Sequence, residues 1–393
     1  TPKLDEMKSA GWGSHRFEDL RCALFLYQRG IKFTDSRDQE LIDTYHDIYE
    51  AVCDAWDREW KDHQEKLPDF DRLGLSLETE SASLTVDSAE DIKLLDPACG
   101  SGHMLTYAFD LLVKIYEEEG YAPSEIPEKI LTHNLHGLEI CPRAAQLSQF
   151  ALVCKARAQS RSTFRNPVQP QVMTLVNVEI TAEEVASWKA ATGVNFSADE
   201  LKQAHQFREN TETFGSLIQP VLDGEKLTAL AAKIGDQAPT GDLLVQNTHR
   251  MLRLVLDQAE MLSQRYQVVV ANPPYMGGSQ MTPVLKSFVS EKYKPAKHNL
   301  FSAFILSEIA LCVPNGVASI VTMQNWMFLS RFSDFRTRYR NSVSIESVVH
   351  LGARAFESIG GEVVQTVAFA FRPHVNRSRK TTFIRLVESE TAS

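Results

Sequence analysis

Short apolar runs alternate with helical segments from residue 92 to near the end of the chain, and this alternation restricts the fold more than any other feature of the sequence. Gly, Pro and Asn bound these runs, as they bound strands in α/β proteins. Strands joined through helices pair in parallel, because the crossover brings the chain back to the same edge of the sheet. An α/β fold is therefore expected, with strands at residues 92–96, 135–139, 172–176, 267–271, 317–323, 345–350 and 364–371.

The regions before and within this pattern are predicted to be helical. Residues 36–66 carry apolar side chains at helical spacing with many charges between them, which indicates a long amphipathic helix. A simple crossover needs only a dozen or more residues, so the polar, helix-prone stretch between the third and fourth strands reads as an insertion. We divide the chain into four regions. A helical N-terminal region covers 1–90, the two halves of the α/β core cover 91–180 and 261–393, and a helical insertion at 181–260 lies between these halves.

Charge and composition exclude several classes of protein. The net charge of −10 argues against a protein that coats nucleic acid. Residues 331–393, however, hold ten basic against six acidic residues, and a basic face there could meet phosphates or be an ordinary solvated helix face. Its basic residues include Arg331, Arg336, Arg338 and Arg340. The six cysteines form no CxxC pair and the sequence has no Cys/His cluster with zinc spacing, so no metal site is expected.

Targeting signals are also missing from the sequence. No apolar run approaches the roughly 20 residues that span a bilayer, and the polar start has no signal-peptide pattern. We expect a cytoplasmic protein without a membrane partner. Because the first residue is Thr rather than Met, we also expect a processed chain or a piece of a longer one.

The first motif that carries chemistry follows the strand at 92–96. Asp96 ends this strand, and the small-residue turn from Ala98 to Gly102 precedes a helix. Glycines let the backbone approach a ligand closely, and the first N–H groups of a helix have no partner within it. The spacing fits neither a phosphate-binding P-loop nor the dinucleotide-binding GxGxxG. An aspartate at the strand end suits a ligand that carries an ammonium group and hydroxyls.

Two further strand ends carry candidate ligand contacts. Glu139 ends the second strand, where a carboxylate can accept hydrogen bonds from both ribose hydroxyls of a nucleoside or can simply be solvated. The fourth strand runs into Asn272-Pro273-Pro274-Tyr275. Two prolines fix two φ angles, so the amide side chain and a rigid carbonyl could together grip a planar NH₂ group. The adjacent aromatic ring offers a face for stacking a base.

Several stretches of the sequence resemble known methyltransferases. The residues DPACGSG at 96–102 together with NPPY at 272–275 resemble the γ class of adenine-N6 DNA methyltransferases, which use S-adenosylmethionine. The segments at 298–316, 321–332 and 348–369 are similar to the PglX-type methyltransferases of BREX phage-defence systems. The resemblance extends over residues 92–180 and 261–372. It implies a Rossmann-like, seven-stranded S-adenosylmethionine-dependent methyltransferase core with a helical N-terminal region and a helical insertion.

The resemblance also implies roles for individual residues. The methionine end of the cofactor would be lined by Asp96, Pro97, Ala98, Gly100 and Gly102, its ribose would be bound by Glu139, and Asn177 would lie near its adenine. The target amine would be held by Asn272 and the Pro273 carbonyl within the motif that Pro274 and Tyr275 complete, with Tyr275 and Phe356 packing on the two faces of the flipped base. The methyl group would pass by direct in-line displacement, without a covalent enzyme intermediate.

The implied function is N6-adenine methylation of double-stranded host DNA, which marks self in a BREX-type defence system. Other BREX components and phage inhibitors that mimic DNA would be its partners. Three alternatives stay open: a cytosine-N4 methyltransferase, a protein-glutamine methyltransferase, and a cofactor-binding regulatory or scaffold module that is inactive without a recognition region. The sequence argues strongly against cytosine-C5 transfer, because that reaction needs a nucleophilic Cys normally placed after Pro, and the chain has no Pro-Cys pair.

Overall fold

The computed structural model describes residues 84, 86–164, 167–240, 242–352, 365–376 and 380–386, which all belong to one compact unit, Ala82–Ser393. The predicted helix at 36–66 and the predicted base-stacking residue Phe356 lie outside these residues. The division of the chain into four regions stays an interpretation.

The described strands form one mixed sheet in the order β3-β2-β1-β4-β5-β7-β6-β8. Their bounds are β1 Leu94–Asp96, β2 Leu135–Glu139, β3 Gln171–Thr174, β4 Tyr266–Ala271, β5 Cys312–Met323, β6 Ser344–Gly352, β7 Thr366–Arg372 and β8 Thr382–Arg385. Strand β7 is antiparallel to both of its neighbours, and the pairs from β3 across to β5 are parallel.

The predicted fold class and all seven predicted strands are confirmed, with one correction to the strand number. Strand β8 makes the sheet eight-stranded and pairs in parallel with β6, from Ser347↔Thr382 to His350↔Arg385. It has only four residues, and none of them is buried. The sequence therefore lacks the apolar run from which the other strands could be predicted.

Helices lie between successive strands from β1 to β6 and cover both faces of the sheet. The α-helices are α1 His103–Glu118, α2 Ile126–Lys129, α3 Pro142–Gln159, α4 Ala182–Thr192, α5 Ala198–Ala204, α6 Thr211–Phe214, α7 Gly224–Ile234, α8 Leu243–Ser263, α9 Pro283–Lys292, α10 Leu300–Leu311, α11 Asn325–Phe328 and α12 Ser333–Arg340. The short 3₁₀ turns are Ala89–Asp91, Arg161–Phe164, Gly215–Leu217, Lys294–Ala296 and Ser330–Phe332, and Ile130–Asn134 is a single π turn.

The sheet separates two apolar cores. Successive side chains of a strand point to opposite faces, so Leu94 packs into the core that contains Leu105 and Leu112 of α1, whereas Leu95 packs into the other. That second core contains Leu252 of α8 and residues of α10. Both faces of β1 are therefore covered, as the continuous apolar run of a central parallel strand requires.

The long segment between β3 and β4 contributes helices α4 to α8. Thr181 and Ser197 begin α4 and α5 with capping boxes, in which the side chain of the third helical residue, Glu184 or Glu200, reaches back to the cap. The helical character predicted for this stretch is seen in α4 to α8 and is most extended in α8, whose 21 residues carry the sequence LLVQNTHRMLRLVLDQAEMLS. Because buried residues of α8 share a core with the sheet, this segment packs on the sheet.

Candidate functional site

Two of the motifs predicted to carry chemistry, the glycine turn and Asn272–Tyr275, meet at neighbouring strand ends. Strand β1 pairs in parallel with β4, with Leu95 opposite Val269, so Asp96, which ends β1, and Asn272, which follows β4, lie at the carboxyl ends of adjacent strands. We call this margin of the sheet the site edge. The connections leave β1 and β4 in opposite directions across the sheet, which makes this pair a topological switch point. Ligands of open α/β sheets bind in the crevice at such points.

The glycine turn after β1 is held against the end of β2. The Cys99 amide donates to the Leu138 carbonyl at 3.0 Å, and the Gly102 amide donates to the Cys99 carbonyl at 2.8 Å. Gly100 and Gly102 have φ values of +53° and +86°, in the region that favours glycine. A Cβ on Gly100 would meet no atom within 4 Å, so the turn borders open space there. A Cβ on Gly102 would lie 2.4 Å from the Ser148 Oγ.

This difference gives a stability prediction. Gly102→Ala should lower the free energy of unfolding by about 1–3 kcal/mol, because it combines a positive φ with a clash against α3. Gly100→Ala should cost less, since only its φ opposes a side chain. Chemical denaturation of the two variants measures the difference. A Gly102→Ala protein as stable as the Gly100→Ala protein would contradict the tight contact with Ser148.

Asp96 is almost completely buried, at 2% exposure. Its Oδ1 accepts a hydrogen bond from the Ala98 amide at 3.0 Å. The pKa of the Asp96 carboxyl is raised to about 7, mainly by burial; the Ala98 hydrogen bond acts against this rise and the nearby Glu139 charge adds to it. The carboxyl is thus poised between its neutral and ionised forms near neutral pH, which fits a group that gains a cationic partner on ligand binding.

Glu139 connects the ends of β1 and β2. Its Oε2 accepts from the Gly100 amide at 2.8 Å, and its Oε1 accepts from the Ile140 and Cys141 amides, each at 2.9 Å. A carboxylate offers about four lone-pair positions, so these three bonds leave about one open, on Oε2. That position can accept one hydroxyl directly. A second hydroxyl would need one of the backbone bonds to lengthen.

A turn from the long segment between β3 and β4 also contacts the glycine turn. The Ser216 hydroxyl donates to the Pro97 carbonyl at 2.5 Å. Beside it, Gly215 has a φ of +55°, and a Cβ there would lie 2.9 Å from the Ile140 Cγ2. The Tyr293 hydroxyl donates to the Leu217 carbonyl at 2.8 Å. The turn Gly215–Leu217 therefore braces the site edge, a role that no sequence motif indicated.

Asn177 lies beyond β3 and is exposed, although the next residue, Val178, is buried. Its Oδ1 accepts from the Thr211 amide at 2.8 Å, at the start of α6. The amide oxygen is thus committed to positioning this helix, which leaves the Asn177 NH₂ group as the part of the side chain that could serve a ligand.

The Asn272–Tyr275 motif has an internal hydrogen bond. The Tyr275 hydroxyl donates to the Asn272 Oδ1 at 3.1 Å, while Asn272 is exposed and Pro273 is buried. Burial raises the pKa of Tyr275 to about 12, so this hydroxyl stays protonated at neutral pH. The Tyr275 ring meets the Phe301 ring edge to face, with centroids 6.3 Å apart. This contact fixes the ring beside the exposed amide.

One buried charge near the site was not expected from the sequence. Glu308, on α10, is 0% exposed, and neither of its carboxyl oxygens has a hydrogen-bond partner within the described part of the chain. Burial raises its pKa well above the ordinary value, and the Asp96 charge adds to this effect. Burial and the nearby Asp96 thus both favour the neutral form of the Glu308 carboxyl, which carries no second negative charge toward Asp96.

Only part of the basic face considered for residues 331–340 is free to contact phosphates. The Arg336 Nη1 donates to the carbonyls of Trp326 and Leu329, at 2.9 and 2.7 Å, so this guanidinium holds the backbone around α11. Arg331, Arg338 and Arg340 are exposed. Within the described ranges no group of three or more His, Cys, Asp or Glu side chains could hold a metal ion. In that part of the chain no helix is both long and apolar enough to cross a membrane.

Two known proteins are similar in sequence to most of this chain. An "Adenine-specific methyltransferase BrxX" from Escherichia coli O9:H4 (strain HS) is 36% identical over 340 residues, which cover 79% of this chain and 28% of that protein. An "Adenine-specific methyltransferase PglX" from Lacticaseibacillus casei (strain Zhang) is 34% identical over 314 residues, covering 79% of this chain and 26% of that protein. The chain thus spans about a quarter of the length of these relatives.

A solved structure gives a more distant likeness. The ATP-dependent Type ISP restriction-modification enzyme LlaBIII bound to DNA has a TM-score of 0.45 and 11% identity, with 80% of this chain and 18% of that chain covered.

The resemblance to PglX-type methyltransferases that the motifs predicted is confirmed by the relatives' identity. Residues 133–356 match the family described as "Eco57I restriction-modification methylase". This match covers more than half of the sequence and includes Glu139 and the Asn272–Tyr275 motif. The chain therefore belongs to the Eco57I restriction-modification methylase family.

Proposed function

We propose that this chain contains the cofactor and target-base sites of an S-adenosylmethionine-dependent N6-adenine DNA methyltransferase. The observation that carries the proposal is the pairing of β1 with β4, which brings a buried carboxyl with a glycine turn and an amide-Pro-Pro-aromatic motif to adjacent strand ends. A methyl donor and an amine acceptor must be within contact distance for direct transfer. This arrangement supplies one candidate site for each.

The residues at the end of β1 fit the cofactor. The open space beside Gly100 would admit its methionine part, the ionised Asp96 would attract its ammonium group, and the remaining position on the Glu139 Oε2 would accept a ribose hydroxyl. When bound, S-adenosylmethionine supplies a methyl group made electrophilic by its sulfonium charge. The glycine turn, with the N–H groups that begin α1, would position the carboxylate of the cofactor.

The residues at the end of β4 fit a planar amine. The Asn272 Oδ1 and the Pro273 carbonyl would accept the two N–H bonds of the adenine N6, which turns the nitrogen lone pair away from them and toward the donor. The Tyr275 ring would stack on the base, and its hydroxyl keeps the Asn272 amide oriented. An adenine in duplex DNA would have to leave the base stack, which costs a few kcal/mol.

The relatives suggest a biological setting. Because they are named BrxX and PglX adenine-specific methyltransferases, we propose that the whole protein methylates host DNA in the cytoplasm as part of a BREX-type phage-defence system. Its partners would then be double-stranded DNA, other BREX components and phage proteins that mimic DNA.

Labelled methyl transfer tests the reaction. Double-stranded genomic DNA incubated with the chain and S-adenosylmethionine labelled in its methyl group should yield N6-methyladenine after digestion to nucleosides. A parallel incubation with glutamine-containing peptides should stay unlabelled. Label in N4-methylcytosine or in the peptides, or saturable cofactor binding with no transfer to DNA, would overturn the proposal in favour of the corresponding alternative function.

Cofactor affinity should depend on pH through Asp96. Only the ionised carboxyl attracts the ammonium group, and the pKa of Asp96 is about 7. The association constant measured by calorimetric titration should therefore fall about tenfold per pH unit on the acid side of neutrality and level off above pH 7. Asp96→Asn should bind more weakly and without this slope. A wild-type slope that survives in Asp96→Asn would assign the titration to another group.

A further inference from the structure

A large aromatic side chain is exposed near the proposed target-base site. Phe328, in α11, is 65% exposed, and its neighbour Leu329 is 41% exposed. Exposing an entire phenylalanine ring to water forfeits about 1.5–3 kcal/mol that burial would provide. Adjacent exposed apolar residues at a candidate site therefore indicate a surface that is covered when a partner binds.

The segment that carries Phe328 lies at the site edge. Strand β5 pairs in parallel with β4, with Ile320 opposite Ala271, so the residues that follow Met323 emerge beside the Asn272–Tyr275 motif. Aromatic contacts join the two segments. The Phe332 and Phe301 rings are stacked with centroids 6.2 Å apart, and Phe301 in turn meets Tyr275.

The backbone on both sides of Phe328 is fixed. The Trp326 Nε1 donates to the Thr322 Oγ1 at 3.1 Å, and the buried Trp326 ring packs on Phe335 and Phe369. The Arg336 guanidinium binds the carbonyls of Trp326 and Leu329, the residues that flank Met327 and Phe328. Phe328 is thus displayed on a braced turn, and ordering it on binding costs little backbone entropy.

Positive charge lies at one side of the same turn, near Phe332. The exposed Lys297 and Arg331 both lie near His298, whose ring meets Phe332 edge to face at 5.8 Å. Burial and these two cations lower the pKa of His298, with Asp334 acting against them. The Arg331 guanidinium also lies over the Phe332 ring, 5.2 Å from its centroid. Two cations against one acid give a local positive field on a chain whose net charge is −10.

We infer that the turn Asn325–Phe332 is a DNA-distorting element, in which Phe328 enters the base stack beside the extruded adenine while Lys297 and Arg331 bind the flanking phosphates. This inference rests on the proposed function. An apolar wedge between base steps replaces the lost stacking and keeps the base from returning. Phe328 lies four residues before Phe332, whose ring contacts reach Tyr275 through Phe301, so the wedge would lie on the segment next to the site that would receive the base.

Binding to a duplex that already lacks one base tests the wedge. A labelled duplex with a single abasic site has a gap in the stack, so wedge insertion no longer requires unstacking. In fluorescence anisotropy, the wild-type chain should bind this duplex about tenfold or more tightly than the intact duplex, because unstacking a base costs a few kcal/mol. Phe328→Ala should lose most of this preference. Phe383→Ala, which removes a 55% exposed phenylalanine from β8, should keep it.

The salt dependence of DNA binding tests the phosphate contacts separately from the wedge. Lys297→Ala and Arg331→Ala should each weaken binding to both duplexes similarly and lower the slope of log affinity against log salt by about one. Equal preference for the abasic duplex in the wild type and in Phe328→Ala would overturn the wedge, and an unchanged salt slope would overturn the phosphate contacts. A methyl-transfer assay distinguishes failure of the wedge from failure of the proposed function. Transfer that persists unchanged in Phe328→Ala refutes the wedge alone. A wild type that neither binds nor methylates DNA refutes the proposed function as well.

Discussion

Asn272→Ala should bind S-adenosylmethionine as tightly as the wild type and transfer its methyl group to DNA about 10²–10³-fold more slowly. This is the range that follows from removing one preorganised hydrogen-bonding group at a reacting centre. The loss is expected in the transfer step because Asn272 follows β4, whereas the candidate cofactor contacts follow β1 and β2. Calorimetric titration and a labelled-methyl assay on the same preparation measure the two quantities.

Two control variants distinguish the effect of the Asn272 amide on methyl transfer from effects of the residues around it. Tyr275→Phe keeps the ring and removes the hydroxyl that donates to Asn272, so it should cause a smaller loss of transfer and leave cofactor affinity unchanged. Asn341→Ala changes an exposed asparagine at the end of α12 and should have no effect on either quantity. Loss of cofactor binding in Asn272→Ala, or undiminished transfer, would contradict the assignment of separate sites to the two strand ends.

Glu308→Gln should remove a large pH dependence of the free energy of unfolding. The folded pKa of Glu308 lies well above 4.5, its ordinary value, so between these two values the unfolded chain releases a proton that the folded chain retains. Rising pH then favours unfolding, by about 1.4 kcal/mol per pH unit while the group titrates. The stabilising neutral form is fully present below pH 4.5 and is lost as the pH rises through the folded pKa. The glutamine keeps the shape without the proton.

Chemical denaturation over a series of pH values measures this effect as a difference between proteins. Relative to the wild type, Glu308→Gln should become progressively more stable as the pH rises, and the titrating groups that do not interact with Glu308 cancel in the comparison. Glu118→Gln makes the same chemical change on the exposed end of α1 and should follow the wild-type profile. Parallel profiles for Glu308→Gln and the wild type would show that Glu308 is not buried as a neutral acid.

The sequence predicted most of the sheet because apolar runs mark many of its strands, as in Tyr266–Ala271 and Thr366–Arg372. The glycine turn, Glu139 and Asn272 could be predicted as site residues because each stands in a short motif that follows a strand. Ser216 could not, since its contact with Pro97 joins positions 119 residues apart and no motif surrounds it. Glu308 left a signal that could have been used: α10 is apolar around its whole circumference, so its only acidic residue had to be buried.

The pairing of β1 with β4 has a consequence for folding kinetics. Leu95 and Val269 are neighbours in the sheet but are far apart along the chain, so a large loop must close before they meet. Such long-range parallel pairing is slow compared with local helix formation. The two halves of the proposed site therefore come together late, and a ligand that contacts both would stabilise only the fully assembled sheet by mass action. Recovery of methyl transfer during refolding requires both halves and would then report the completion of the fold, whereas cofactor binding requires only the β1 side.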